Sequence, residues 1–193
     1  MKGKMLFFKC FLMMLLFVTL SGCLPTVTPM SCVDFESLTL GKEFHVGDMF
    51  NDAGTMIYVL PFQWESSTWT SAGYAKVYDG SHAGVSGKEM NLNNVNLGFQ
   101  FSNSLTELSF NFGEYGGNLN IQVNDQFKNF QNFDDLNGAT LGGVHISVID
   151  GSGDEKGRLI LSGEMNTFKV MEEDVYFVIG GQELWIDHVC PVE

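Results

Sequence analysis

The stretch "TELSFNF", residues 106–112, decides the fold class of this chain. Its apolar residues alternate one for one with polar residues; they are Leu108, Phe110 and Phe112. Successive side chains of a β-strand point to opposite faces of the sheet. The stretch therefore predicts a strand with one face in a core and the other in solvent.

Similar segments follow one another along the chain, separated by turns rich in glycine, asparagine and aspartate. They are "TMIYVLPFQ" (55–63), "AGYAKVY" (72–78), "VNLGFQF" (95–101), "NLNIQV" (118–123), "GVHISVI" (143–149), "GRLILSG" (157–163), "DVYFVI" (174–179) and "LWIDHVC" (184–190). Beyond residue 23, only "MEEDV" (171–175) could form a helical turn. Many short strands at near-regular spacing predict an all-β fold, an antiparallel, jelly-roll-like β-sandwich over residues 32–193. The 17 phenylalanines are enough to fill its core, where we also expect Trp185.

The first 22 residues have the pattern of a secretory signal helix. Basic residues come first, at Lys2, Lys4 and Lys9, and the apolar run "CFLMMLLFVTL" (10–20) follows. Such a run is too short for a typical membrane span and is typical of a cleaved signal peptide. The alternative is a signal anchor that stays attached.

The end of this segment carries a second signal. Leu20-Ser21-Gly22-Cys23 resembles the lipobox of bacterial lipoproteins, in which the signal is cut before the cysteine and that cysteine is diacylated. The resemblance implies a signal peptide over 1–22, lipidation of Cys23, a tether over 23–31 and a membrane partner reached through the lipid. Because Leu24 follows Cys23 where an aspartate would resemble an inner-membrane retention signal, we expect the outer membrane or the cell surface of a bacterial envelope.

The charge of the chain restricts its partners. The whole chain carries −13, from 10 basic and 23 acidic residues. Loss of the three lysines of the signal peptide leaves seven basic residues, and the net charge becomes −16. Such a surface repels nucleic acid and anionic lipid, and suits cations and neutral ligands.

Two cysteines remain once Cys10 leaves with the signal and Cys23 takes lipid. Cys32 and Cys190 stand at the two ends of the domain, in an exported and oxidising compartment. Two such cysteines most often pair, so we expect a disulfide; the alternative is two free thiols.

The two ends of the domain share a further resemblance. "DFE" (34–36) and "WIDHV" (185–189) are similar to the first and last strands of jelly-roll carbohydrate-binding modules, which share a structural calcium ion there. Carried over, the resemblance implies that Glu36 and Asp187 bind calcium, with nearby backbone carbonyls completing the shell. The stretches 112–121 and 179–190 also resemble uncharacterised exported bacterial domains, which implies no activity.

Aromatic residues in polar surroundings are the candidate ligand-binding residues. Trp64 and Trp69 lie in the serine- and threonine-rich stretch 62–74, and Tyr74 and Tyr115 could extend their surface. Flat aromatic faces pack on the C–H face of a sugar ring while polar groups bond its hydroxyls. The alternative is that the tryptophans pack under a long loop.

Other motifs give weaker indications. The acidic stretches "DGSGDEKG" (150–157) and "NFDDLNG" (132–138) lack the glycine and the final acid of an EF-hand loop, and the histidines lack zinc spacing. The acids cluster in loops, without the paired carboxylates of a glycosidase, so we expect no catalytic residues and no enzyme. The expected function is a non-catalytic surface module that binds carbohydrate; the alternatives are a structural or protein-interaction module of the envelope and, third, a polysaccharide hydrolase.

Overall fold

Alternation of apolar and polar residues produces seventeen strands in the part of the chain that the structure describes. The computed structural model describes residues 30–150 and 155–193; the signal peptide, Cys23 and most of the tether lie outside these ranges. In chain order the strands are β1 (Glu43–His45), β2 (Met49–Asp52), β3 (Thr55–Gln63), β4 (Trp69–Thr70), β5 (Tyr74–Gly80), β6 (Gly87–Asn93), β7 (Val95–Gln100), β8 (Leu105–Glu114), β9 (Leu119–Val123), β10 (Gln126–Phe130), β11 (Thr140–Leu141), β12 (Val144–Asp150), β13 (Lys156–Met165), β14 (Phe168–Val170), β15 (Glu173–Val175), β16 (Phe177–Gly181) and β17 (Leu184–Val192). A short 3-10 helix spans Phe133–Leu136.

The strands form two antiparallel sheets packed face to face. The eight-stranded sheet has the order β1-β5-β6-β17-β8-β13-β12-β11. The seven-stranded sheet has the order β10-β9-β16-β7-β3-β2, with β4 paired to the end of β3. Successive strands often change sheet, and the last two, β16 and β17, each lie in the middle of one sheet. The predicted all-β, jelly-roll-like sandwich is therefore confirmed.

The core lies between the sheets and follows the predicted alternation. Leu108 and Phe110 of β8 are fully buried in it, and Phe112 is almost fully buried. Partners from the opposite sheet include Phe177, whose ring centroid lies 5.7 Å from that of Phe110. Burial of each such side chain stabilises the fold by roughly 1.5–3 kcal/mol before conformational entropy is counted.

The hairpin formed by β14 and β15 covers part of the outer face of the seven-stranded sheet. Phe168 and Val175 of the hairpin pack on Leu60 and Val178 of that sheet, in a second small apolar cluster. The prediction of a helical turn at 171–175 is therefore wrong, since this stretch is the turn and return strand of a hairpin. The apolar contact beneath the hairpin favours this arrangement over an isolated turn.

In the described residues, no helix is both long and apolar enough to cross a membrane.

Candidate functional site

The two ends of the domain are joined at the middle of the eight-stranded sheet. Cys32 and Cys190 form a disulfide, with their Cα atoms 4.2 Å apart, so the predicted bridge is confirmed. One residue inward, Val33 and Val189 exchange two backbone hydrogen bonds of 2.9 Å. The first described stretch of the domain is therefore held on β17, which lies between β6 and β8.

A β-bulge in β17 separates Asp187 from Cys190. Asp187 pairs with Asn111 of β8 and Cys190 pairs with Ser109, so three steps on β17 match two on β8. The extra residue is accommodated at His188, whose φ is 55°. Strict alternation along the strand would place Asp187 and Val189 on the same face. Because of the bulge, Asp187 faces outward while Val189 points into the core.

Trp185 is buried, but it lies outside the core between the sheets. It is stacked on the ring of His82, with centroids 3.9 Å apart and planes 17° apart, and Tyr78 meets it edge-on. His82 belongs to the loop between β5 and β6, which covers this part of the outer face. The prediction that Trp185 belongs to the core is corrected in this respect: burial by a loop and burial between sheets give the same apolar sequence pattern.

Asp187 belongs to a set of four acidic residues near the start of β6, which we call the acid cluster: Asp34, Glu36, Glu89 and Asp187. Burial raises the pKa of Asp187 to about 7; a 2.6 Å hydrogen bond from the His188 N–H lowers it, and the charges of Glu89, Asp34 and Glu36 raise it again. An ionised Asp187 is therefore disfavoured where it stands.

Glu89, which is only 1% exposed, holds the covering loop in place. Its carboxylate accepts hydrogen bonds from the backbone N–H groups of His82 (3.1 Å) and Ala83 (2.8 Å), and its Oε1 lies 2.5 Å from the Nδ1 of His82. Sequence reasoning missed this residue, although Glu89, Met90, Asn91 and Leu92 alternate as a half-buried strand should. Two neighbouring strands, β6 and β17, thus carry buried acids, so the expectation that acids are confined to loops is wrong.

Lys88 binds backbone carbonyl groups near Glu36, the kind of group that was expected to complete a calcium shell. Its Nζ donates to the backbone oxygens of Glu36 (2.6 Å) and Leu38 (2.8 Å), and its N–H donates to the Glu36 carboxylate at 2.7 Å. Glu36 is exposed, and its carboxylate lies against Gly87, where a Cβ would come within 2.1 Å of Oε1. The oxygen atoms that remain available to bind a cation here are carboxylate oxygens of the acid cluster.

The outer face of the seven-stranded sheet contains a cavity of about 410 Å³, which we call the Trp69 cavity. Its floor comes from the sheet and its walls from β4 with the following residue and from the tip of the β14–β15 hairpin. The lining residues are Leu60, Pro61, Trp69, Ser71, Asn96, Gln122, Phe127, Lys169, Val170, Met171 and Val178. Small-molecule sites are mainly apolar clefts of about 300–1,000 Å³ with a few polar groups, and the Trp69 cavity has this character.

Trp69 is the one predicted ligand-binding residue that lines this cavity. Its side chain is 57% exposed, and its ring centroid lies 5.9 Å from that of Phe127. Trp64 is half-buried against Phe62 of β3, with its ring edge-on at 5.2 Å.

Tyr74 and Tyr115 lie elsewhere. Tyr74 is on β5 in the eight-stranded sheet, and Tyr115 follows β8, where its ring meets that of His82. The four aromatic residues therefore do not form one surface. Their separation follows from the order of strands in the sheets, which local sequence does not reveal.

A row of asparagines supports the floor of the Trp69 cavity. Asn96 donates to the carbonyl of Pro61 at 2.7 Å and accepts from Asn120 at 3.2 Å. Asn129 continues the row, donating to Asn120 at 2.8 Å and to Asn118 at 2.6 Å. These buried amides satisfy one another, which fixes their positions.

A smaller cavity of about 250 Å³ lies at the end of β8 and is lined by Glu114, Tyr115 and Asn132 among others. Burial raises the pKa of Glu114 to about 7; a hydrogen bond from the Phe133 N–H lowers it, and the charges of Asp134 and Asp135 raise it. The acidic stretches 132–138 and 150–157 meet here, since the Glu114 N–H donates to the Glu155 carbonyl at 2.7 Å. Residues 151–154 lie outside the described ranges.

Comparison with known proteins returns no relative of this chain: no protein-family model matches it, and neither a curated protein nor a solved structure does so significantly.

Proposed function

We propose that this chain is a lipid-anchored, non-catalytic module of the bacterial cell envelope, and that it binds neutral carbohydrate in the Trp69 cavity. The observation that carries the proposal is Trp69 itself, a tryptophan 57% exposed at the wall of a cavity that also offers amide and hydroxyl groups. A large apolar side chain left in solvent beside a cleft marks a binding surface. The anchor rests on the lipobox-like sequence at Cys23.

The electrostatic character of the cavity favours a neutral ligand. Lys169 is the charged residue of its lining, and its Nζ lies 3.0 Å from the Asp174 carboxylate. Its charge is therefore largely balanced by that neighbour. With −13 on the whole chain, an anionic ligand would be repelled at long range.

Titration of the full-length protein with soluble neutral oligosaccharides tests the proposal, with binding followed by calorimetry. The protein is held in a detergent without a sugar head group. Trp69→Ala is expected to weaken binding at least tenfold and to change the melting temperature little, because the side chain is mostly exposed. Tyr115→Ala, at another exposed aromatic outside the cavity, is the control and is expected to bind as the parent does.

Absence of binding by every saccharide, or equal binding by the Trp69 variant, would contradict this proposal. The second candidate, a protein-interaction module, would then be favoured by the apolar rim, where Met171 is 69% exposed. In that case a photoreactive residue at position 171 would cross-link the chain to a specific envelope protein. Release of new reducing ends from a polysaccharide would instead support the third candidate, a hydrolase.

We also propose a structural calcium ion held by Glu36 and Asp187. The proposal is supported by the placement of Asp187 near Asp34, Glu36 and Glu89, whose charges add to the effect of burial in raising its pKa; a cation beside Asp187 would favour the ionised carboxylate. Bound there, calcium would link the loop that follows Cys32 to β17 and β6. Lys88 already satisfies the neighbouring carbonyls, so the carboxylates would provide the protein's share of the ligands.

A further inference from the structure

Gln122 is the polar group on the floor of the Trp69 cavity that is free to bind a ligand. It lies on β9, between Phe127 of β10 and Val178 of β16, and is partly exposed. Its side-chain amide makes no hydrogen bond to any residue in the described ranges. A primary amide offers two donors and an acceptor, and Gln122 lines a mainly apolar space.

The other polar groups of the lining are already engaged or lie at the wall. Asn96 is 2% exposed and uses its amide on Pro61 and Asn120. Lys169 is paired with Asp174. Ser71 is exposed at the wall formed by the residues after β4, and its hydroxyl can both donate and accept.

From this arrangement we propose that the Trp69 cavity selects saccharides that carry an acetamido group, with Gln122 as the residue that determines specificity. This inference rests on the proposed carbohydrate function and names its ligand class. An acetamido group is a planar trans amide, so its N–H and C=O point in opposite directions and need two different partners. Gln122 on the floor and Ser71 on the wall are two such partners.

The methyl of the acetamido group has a matching environment. Leu60, Val178 and Val170 present apolar side chains around the floor and the hairpin wall. Contact with one added methyl in an apolar pocket improves binding by about 10–200-fold. A hydroxyl at the same position would lack that contact and would leave Gln122 with fewer partners.

A pair of disaccharides tests the inference directly. Di-N-acetylchitobiose and cellobiose share the same linkage and differ in the acetamido or hydroxyl group at C2. Each is titrated calorimetrically into the full-length protein, and into the Gln122→Met, Trp69→Ala and Gln126→Met variants. Met keeps the length and apolar contact of Gln122 without its amide. Gln126 is an exposed residue of β10, the strand paired with β9, and lies outside the cavity.

We expect the parent and the Gln126 variant to bind di-N-acetylchitobiose at least tenfold more tightly than cellobiose. Gln122→Met is expected to reduce that preference to less than threefold, while Trp69→Ala weakens both ligands. Equal binding of the two disaccharides by the parent would overturn the acetamido preference and leave the carbohydrate function standing. Binding of neither would overturn both, and a preference that survives in Gln122→Met would remove Gln122 from the role.

Discussion

Glu114 shows how a single residue can make stability depend on pH. It stands at the end of β8, only 9% exposed, and accepts a hydrogen bond of 3.0 Å from the Phe133 N–H. Burial is the main reason that its pKa rises to about 7. The folded chain therefore holds a proton on Glu114 at pH values where an unfolded chain, with an ordinary glutamate pKa of about 4.3, has lost it.

The free energy of unfolding should therefore fall as pH rises from about 4.5 to about 7. The contribution of Glu114 is fully present below the unfolded pKa and is lost as pH rises through the folded one. Glu114→Gln keeps an oxygen for the Phe133 N–H but does not titrate, so we expect a flatter profile over this window. Urea unfolding at pH 4.5, 6 and 7.5 measures the effect, and parallel profiles for parent and variant would contradict it.

Gly180 is a second residue whose identity the structure explains. It lies on β16 beside Asn96, and a Cβ there would come within 1.9 Å of the Asn96 Oδ1 and 2.4 Å of the Val95 carbonyl. The absence of a side chain is what allows Asn96 to reach across to Asn120.

Gly180→Ala is expected to destabilise the protein by roughly 1–3 kcal/mol, the usual range for overpacking, and more if the asparagine row breaks. Gly117→Ala is the matched control, because its Cβ would meet only the end of the Gln131 side chain, at 3.3 Å. Thermal unfolding of both variants measures the loss of stability in each. Similar losses in the two would show that the contact with Asn96 is unimportant.

At the scale of single strands, the sequence predicted the positions of most strands. It missed features that depend on contacts with other strands. The stretch 55–63 coincides with β3, and 106–112 lies within β8. The strand β6 lies outside the predicted segments, although its Met90 and Leu92 alternate with polar residues. The bulge at His188 could not be foreseen, since it depends on the register between β17 and β8.

The disulfide is the strongest link between the first segment and β17. It closes a loop with a sequence separation of 158 residues, for which the chain-entropy model gives roughly 4–5 kcal/mol. We expect the double variant Cys32→Ser, Cys190→Ser to lose a large part of this free energy in urea unfolding. A loss below about 1 kcal/mol would mean that the Val33–Val189 pairing and the core hold the ends together without it.

For the whole molecule, composition and periodicity predicted a sandwich, but the neighbours of each strand came only from the structure. Alternation along each strand shows which side chains face the core, and this held for Phe110 and Phe112. It does not show which surface residues meet. Trp69 therefore shares a cavity with Gln122 and Phe127, which sequence did not single out.

Calcium, if bound by the acid cluster, should raise the melting temperature of the entire domain. Thermal melts with calcium and with EGTA are expected to differ for the parent and to coincide for Asp187→Asn, which loses one ligand charge. In EGTA the Asp187 variant should be at least as stable as the parent near neutral pH, because it removes a carboxylate whose ionisation is disfavoured there.

Asp79→Asn is the control for this experiment, since Asp79 is an exposed residue of β5 outside the acid cluster. It should respond to calcium as the parent does. Identical melts with calcium and EGTA for the parent would remove the calcium site and leave Lys88 as the cation that organises the first loop.

Attachment of the first segment to β17 has a mechanical consequence. If the molecule is tethered at its N-terminal end and pulled through a ligand on its other sheet, the tension enters the protein at Cys32. The covalent bond passes that load at once to Cys190. The force therefore arrives at a central strand flanked by β6 and β8, and no edge strand of the eight-stranded sheet has to resist being peeled away.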